Sequence, residues 1–180
     1  MTILMAAVIP YLFGCINGAY YLTKWLKKQD IRELESGNAG ATNAGRVMGK
    51  TGFLLTLLID AVKTWLALWL VTVWFDGLLW PQVVAIAFVL LGHLYPAHLQ
   101  FRGGKGIVVF LAGAFWLQPL ILAVLAGVMA VVYGLSRRYT ISGFIAIGAV
   151  LGFLFYEFGI SVVSLGMSGM FLYMLLVYNK

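Results

Sequence analysis

Two short stretches hold most of the residues able to do chemistry. The first is Ser36-Gly37-Asn38-Ala39-Gly40-Ala41-Thr42-Asn43-Ala44-Gly45-Arg46, the longest run dense in glycine, hydroxyls and amides in a chain that is 63% hydrophobic. Gly37, Gly40 and Gly45 free the backbone to fold around a ligand, because glycine has no Cβ to clash at positive φ. Successive N–H groups in such a segment can converge into an anion-binding nest. Ser36, Asn38, Thr42 and Asn43 add neutral hydrogen-bonding groups, and Arg46 adds a fixed cation suited to bidentate phosphate or carboxylate contacts. The second stretch, Phe101-Arg102-Gly103-Gly104-Lys105-Gly106, again combines glycine with fixed charge. Arg46, Arg102 and Lys105 together suit more than one phosphate. The plain alternative is a pair of solvated loops between membrane helices.

Three further residues add to this set. His93, in Gly92-His93-Leu94-Tyr95-Pro96, lies just before the second stretch; it is either a hydrogen-bonded core histidine or an acid–base group. Asp60 and Lys63 fall inside an apolar segment, and their i, i+3 spacing puts them on one helix face. Asp60 is expected ~12 Å below the cytoplasmic end of a helix starting near Gly52. Intramembrane ionisable residues face the bundle interior and mark function by default, so Lys63 is either a substrate contact or half of a structural ion pair. No metal site is expected: the acids are scattered, and His93 and His98 have no companion ligands.

The elements that position these residues follow from composition. Of the 180 residues, 10% are charged and 15% aromatic. A water-soluble domain so apolar would expose large greasy patches, so the fold class expected is an all-α integral membrane protein with one polytopic domain over residues 1–180. The net charge of +6 is assigned to membrane topology rather than to nucleic acid. A single cysteine, Cys15, excludes an intrachain disulfide. The first apolar segment lacks a basic leader and is read as a membrane helix, not a cleaved signal.

Apolar runs predict spans at Ile3–Leu22 (softly broken by Pro10 and Gly14), Phe53–Phe75 and Pro81–Leu99. Ile107–Tyr133 is too long for one span and divides at Gln118-Pro119; Ile141–Tyr156 and Ile160–Tyr178 complete seven. A basic loop is expected from Lys24 to Lys50. With the N-terminus outside, the inner segments hold Lys24, Lys27, Lys28, Arg32, Arg46, Lys50, Arg102, Lys105, Arg137, Arg138 and Lys180. The outer segments hold Asp76 and Glu157 and no lysine or arginine. That separation obeys the positive-inside rule only with an odd number of spans. Seven transmembrane helices then place both glycine-basic stretches and the C-terminus on the cytoplasmic side.

The motif Ser-Gly-Asn-x-Gly-Ala-Thr-Asn-x-x-Arg at 36–46, Gly-His-x-x-Pro at 92–96 and Gly-Gly-Lys-Gly at 103–106 resemble the first two motifs of the bacterial acyl-phosphate:glycerol-3-phosphate acyltransferases. Asp60-x-x-Lys63 and the order of spans are similar as well. The resemblance implies transfer of a fatty acyl group from acyl phosphate to the 1-hydroxyl of glycerol 3-phosphate, giving lysophosphatidic acid at the bacterial plasma membrane, the first step of phospholipid synthesis. It implies no cofactor and no metal, with the two substrates and the bilayer as partners. Acyl phosphate is an activated mixed anhydride, so the protein needs only to position the hydroxyl and neutralise the leaving phosphate.

Within that reading, Lys105 and the amides of Gly103 and Gly104 are candidates for the acyl-phosphate headgroup, with Arg102 and Gly106 beside them. Ser36, Asn38 and Arg46 are candidates for glycerol phosphate, with Gly37, Gly40 and Thr42 shaping that loop. Asn43 orients the loop or the carbonyl, and the hydroxyl proton goes to His93 or to a phosphate oxygen. No covalent acyl-enzyme is expected. Cys15 is buried in apolar surroundings, and Ser36 has only Glu35 beside it, which would point away in an extended segment. Members of that family carry a third motif with a histidine, an asparagine and a glutamate. This chain reaches Tyr178-Asn179-Lys180 without one, so weaker acceptor binding is expected. Two competing readings are a non-catalytic relative that binds phosphate-bearing lipids or regulates a true acyltransferase, and a small anion transporter. A transporter should show paired repeats and a mid-membrane site, and neither pattern is visible.

Overall fold

The computed structural model describes residues 3–178; Asn179 and Lys180 lie outside the described residues. Among the described residues the regular elements are helices: α1 (Ile3–Cys15), α2 (Gly18–Lys27), α3 (Ala41–Trp74), α4 (Leu79–Leu94), α5 (Ile107–Leu117), α6 (Ile121–Ser136), α7 (Tyr139–Phe158) and α8 (Val162–Tyr178). Single 3-10 turns at Ile31–Glu33 and Ala97–Leu99 interrupt the polar segments. Four segments, Leu4–Lys27, Ala41–Trp74, Leu79–Leu99 and Tyr139–Phe158, are long and apolar enough to cross a membrane. The apolar helices α5, α6 and α8 are shorter. The 11 residues of α5 rise only ~16 Å, about half a hydrocarbon core. The division at Gln118-Pro119 is present as the turn between α5 and α6.

Along α3, Leu54, Leu58, Val62, Leu66, Trp69 and Val73 form an exposed stripe at helical spacing. Such a stripe fits hydrocarbon and not water. The opposite face, with Thr56, Asp60, Lys63, Thr64, Ala67 and Val71, is buried. Against it pack α1, α4 and α5, around a core that includes Leu68, Ile86, Val89, Phe110 and Ile121. The closest crossing joins α1 to α4. A Cβ added at Gly14 would lie 3.0 Å from the Gly92 Cα, and one at Gly92 would lie 3.0 Å from the Gly14 Cα. Small residues that let backbones touch are the usual device where hydrophobic burial cannot drive helix pairing.

Two local expectations are corrected. Pro10 lies inside an unbroken α1, and the break in the first span falls at Ile16-Asn17 instead. There the Asn17 side chain caps α2 by accepting from the Tyr20 N–H at 3.0 Å. The expected loop from Lys24 to Lys50 is largely helical: α2 continues to Lys27, and α3 begins at Ala41, inside the first motif. Irregular backbone remains at residues 28–30 and 34–40, on either side of the 3-10 turn. The first turns of α3 are set off from the membrane part by Gly49, at φ 72° and ψ −167°, a conformation essentially restricted to glycine. The short piece packs back on the long one, with Gly45 facing the Phe53 side chain and Gly52 facing the Ala44 carbonyl.

Candidate active site

The first loop is built around Asn43. Its Oδ1 accepts from the Ser36 N–H at 3.2 Å, and its Nδ2 donates to the carbonyls of Ile31 at 3.3 Å and Leu34 at 3.0 Å. With the side chain 1% exposed, these bonds sit away from competing water. Of the two tasks considered for Asn43, orienting the loop is the one its contacts perform. The Gly37 N–H closes a turn onto the Leu34 carbonyl at 2.9 Å, with Gly37 at φ 69°. Glu35 has φ 51°, so Ser36 leaves a turn and not the extended segment expected. Ile31, Ala39 and Ala44 form a small core beneath. Above it, Ser36, Thr42 and Arg46 are exposed and Asn38 is half-buried. Thr42 and Arg46 lie one helical turn apart, on the same side of α3.

The second loop folds back on the end of α4. The Gly103 N–H donates to the Leu94 carbonyl and the Gly104 N–H to the His93 carbonyl, each at 3.0 Å. These bonds satisfy carbonyls that a helix end leaves unpaired. The expectation that these two amides cradle a headgroup therefore fails: both are committed to the backbone. Their glycines serve close packing. A Cβ on Gly103 would strike the His93 carbonyl, and one on Gly106, at φ 80°, would strike Leu90. Arg102 is exposed. The Lys105 ammonium lies 3.8 Å from the centre of the Tyr178 ring at the end of α8, a cation–π contact. Phe144 packs edge-on against the same ring.

Gly104 is where the two motifs meet. A Cβ there would collide with His93 Nε2 and come within 2.7 Å of the Ala39 carbonyl. His93 thus reaches the junction from below while the first loop covers it from the other side. Arg32, one of the basic residues of the first inner segment, ties the loops together. Its guanidinium donates to the Leu99 carbonyl at 2.6 Å, pairs with Asp30 at 2.6 Å, and lies over the Tyr20 ring. The pairing holds the Asp30 carboxyl below its usual range and the Arg32 guanidinium above its own. A second tie joins Tyr21 Oη to His98 Nε2 at 2.9 Å. Nothing in the spacing of residues 32 and 99, or of 21 and 98, signals these contacts.

Below the junction, Lys63 is a hub rather than an open cation. Its Nζ lies 2.7 Å from Asp60 Oδ1, the ion pair expected from their spacing. It also contacts the carbonyls of Ile16 at 2.6 Å and Gly14 at 3.2 Å, and His93 Nδ1 at 2.9 Å. The Asp60 contact is ionic in character, since Oδ1 has no aligned hydrogen-bond donor among the described residues. Lys63 and Asp60 are 3% and 1% exposed, so this hub lies inside the bundle. An apolar groove of about 330 Å³ between α1 and α3, lined by Phe13, Ile16, Leu58, Ile59, Val62, Lys63 and Leu66, lies beside this hub and away from the junction. Among the described residues, no group of three histidine, cysteine, aspartate or glutamate side chains could hold a metal ion.

A family model described as "Glycerol-3-phosphate acyltransferase" matches residues 4–180. The chain belongs to the glycerol-3-phosphate acyltransferase family. It is similar to glycerol-3-phosphate acyltransferase 1 of Desulfitobacterium hafniense (strain Y51), with 42% identity over 137 residues, covering 76% of this chain and 67% of that one. The enzyme of the same name from Bacillus cereus (strain ZK / E33L) is 35% identical over 174 residues, covering 96% and 92%. Among solved structures, PlsY (YgiH), an integral membrane glycerol 3-phosphate acyltransferase in its glycerol 3-phosphate form, aligns with a TM-score of 0.87 at 26% identity. That alignment covers 98% of this chain and 88% of the other.

Proposed function

We propose that the protein is a membrane acyltransferase that moves a fatty acyl group from acyl phosphate to glycerol 3-phosphate, forming lysophosphatidic acid. The observation that carries this reading is the junction at Gly104, where both motifs and His93 converge, with Arg102 and Lys105 in the second loop and Arg46 exposed on the first turns of α3. The names of the relatives support the acceptor. The acyl-phosphate donor is what the resemblance of the two motifs implies, and its chemistry fits the site: a mixed anhydride is already activated, so the protein has only to position the acceptor and neutralise the leaving phosphate.

In the reaction, the acceptor hydroxyl oxygen attacks the acyl carbonyl carbon, the bond from that carbon to the phosphate oxygen breaks, and the hydroxyl proton passes to the departing phosphate. Lys105 neutralises the charge that develops on that phosphate. Ser36, Asn38, Thr42 and Arg46 receive glycerol phosphate, and Arg102 adds charge at the rim. Gly37, Gly40, Gly103, Gly104 and Gly106 serve as space and turn formers. Asn43 and Lys63 hold the site from behind.

The arrangement in the bilayer is seven crossings, with the N-terminus outside and the site on the cytoplasmic face. Two features support it. The basic segments gather at the end of the bundle that carries the motifs, and Gln118 in the α5–α6 turn hydrogen-bonds Glu157 near the α7–α8 turn at 3.0 Å, joining two turns assigned to the outer face. Purified protein supplied with acyl phosphate and glycerol 3-phosphate should release inorganic phosphate in step with lysophosphatidic acid. Phosphate release that does not depend on glycerol 3-phosphate would overturn the assigned acceptor.

A further inference from the structure

We propose that Lys63 holds His93 in the neutral tautomer whose hydrogen is on Nε2, so that His93 meets the loop junction as a hydrogen-bond donor and Lys63 acts as its positioning residue. This rests on the reading of the junction as the reaction site. The argument starts from the hydrogens of Lys63. A lysine ammonium has three hydrogens and no lone pair. Beside the Asp60 carboxylate that pairs with it, Nζ has three hydrogen-bond partners among the described residues: the Gly14 carbonyl, the Ile16 carbonyl and His93 Nδ1. The two carbonyls can only accept, so with the ammonium intact Nδ1 must accept as well. A neutral imidazole that accepts at Nδ1 carries its hydrogen on Nε2.

The opposite assignment fails on two counts. A hydrogen on Nδ1 would point at the ammonium, and its nearest acceptor, Asp60 Oδ1, is 3.7 Å away, beyond hydrogen-bond reach. Making Lys63 neutral so that it could accept would leave the Asp60 carboxylate, 2.7 Å away and buried, without a counter-charge. The break between α1 and α2 is what makes the device possible. It frees the carbonyls of Gly14 and Ile16 to take two of the three Lys63 hydrogens, which aims the third at the imidazole. Nε2 then lies beside Gly104, at the junction with the first loop, where a substrate oxygen would receive its hydrogen.

The test is nitrogen NMR of full-length protein labelled at histidine, with His98→Gln removing the other imidazole. At neutral pH His93 should show an unprotonated, pyridine-type Nδ1 and a protonated, pyrrole-type Nε2. The reverse pattern, or an imidazolium, would overturn the proposal, and this measurement needs no variant at the hub. Lys63→Met should then yield a mixture of tautomers and lower kcat by about tenfold or more, with KM for acyl phosphate little changed. A folded Lys63→Met protein that keeps the Nε2–H tautomer would show that Lys63 is not the cause. If the tautomer is as stated but no acyl phosphate is consumed, the reading of the junction fails and the assignment of His93 stands.

Discussion

Replacing Gly104 by alanine tests whether the contact between the two motifs matters to turnover. The added methyl would collide with His93 Nε2 and stand 2.7 Å from the Ala39 carbonyl. Ordinary contacts begin near 3.4 Å, so the two neighbours must both give way, by about 0.7 Å at the Ala39 carbonyl and by more at His93 Nε2. His93 is held at Nδ1 by Lys63, and the Gly104 amide is bonded to the His93 carbonyl, so the strain stays at the junction. Overpacking of this size costs about 1–3 kcal/mol, which leaves the helical bundle folded. Catalysis is less tolerant: a misplacement of about 1 Å can cost on the order of a hundredfold. Gly104→Ala should therefore unfold thermally near the parent in detergent yet release phosphate from acyl phosphate about a hundredfold more slowly. Gly148→Ala is the control, since nothing lies within 4 Å of a Cβ there, and it should match the parent in both measurements. A folded Gly104→Ala enzyme within about threefold of the parent would refute the idea that geometry at this junction sets the rate.

Three further outcomes are expected. Lys105→Ala should abolish turnover and leave the fold intact, because the residue lies in a loop with its ammonium over the Tyr178 ring; near-normal activity would reduce the second loop to a membrane-surface anchor. Cys15→Ala should keep full activity, and initial rates with both substrates varied should give intersecting double-reciprocal plots, as direct attack in a ternary complex requires. Parallel plots, or acyl label retained on the denatured protein, would move Ser36 into the role of nucleophile. In that cysteine-free background, a cysteine at Gly77 should react with a membrane-impermeant thiol reagent added outside intact cells, and one at Lys50 only after permeabilisation; the reverse would invert the topology.

The helical, membrane-embedded class was legible because it depends on composition and on the length of apolar runs. The turn at Gln118-Pro119 and the Asp60–Lys63 pair were equally legible, since proline and i, i+3 spacing act within one helix. Those are local physics, and local physics is written in consecutive residues. The motif residues could be named from their types, but their division of labour could not. Asn43 turned inward to hold the loop while Thr42 and Arg46 stayed outside, a difference decided by the helix that begins at Ala41. The amides of Gly103 and Gly104 looked available, and only the return of the chain onto α4 gave them the carbonyls of Leu94 and His93. Likewise the reach of Arg32 to Leu99, the Tyr178 ring under Lys105 and the three-way grip of Lys63 join residues dozens of positions apart. Such contacts depend on how helices cross, and the crossing of α1 and α4 at Gly14 and Gly92 is set by which backbones can approach most closely. Spacing along the chain carries no record of that approach, so the residue types came from the sequence and their tasks from the tertiary structure.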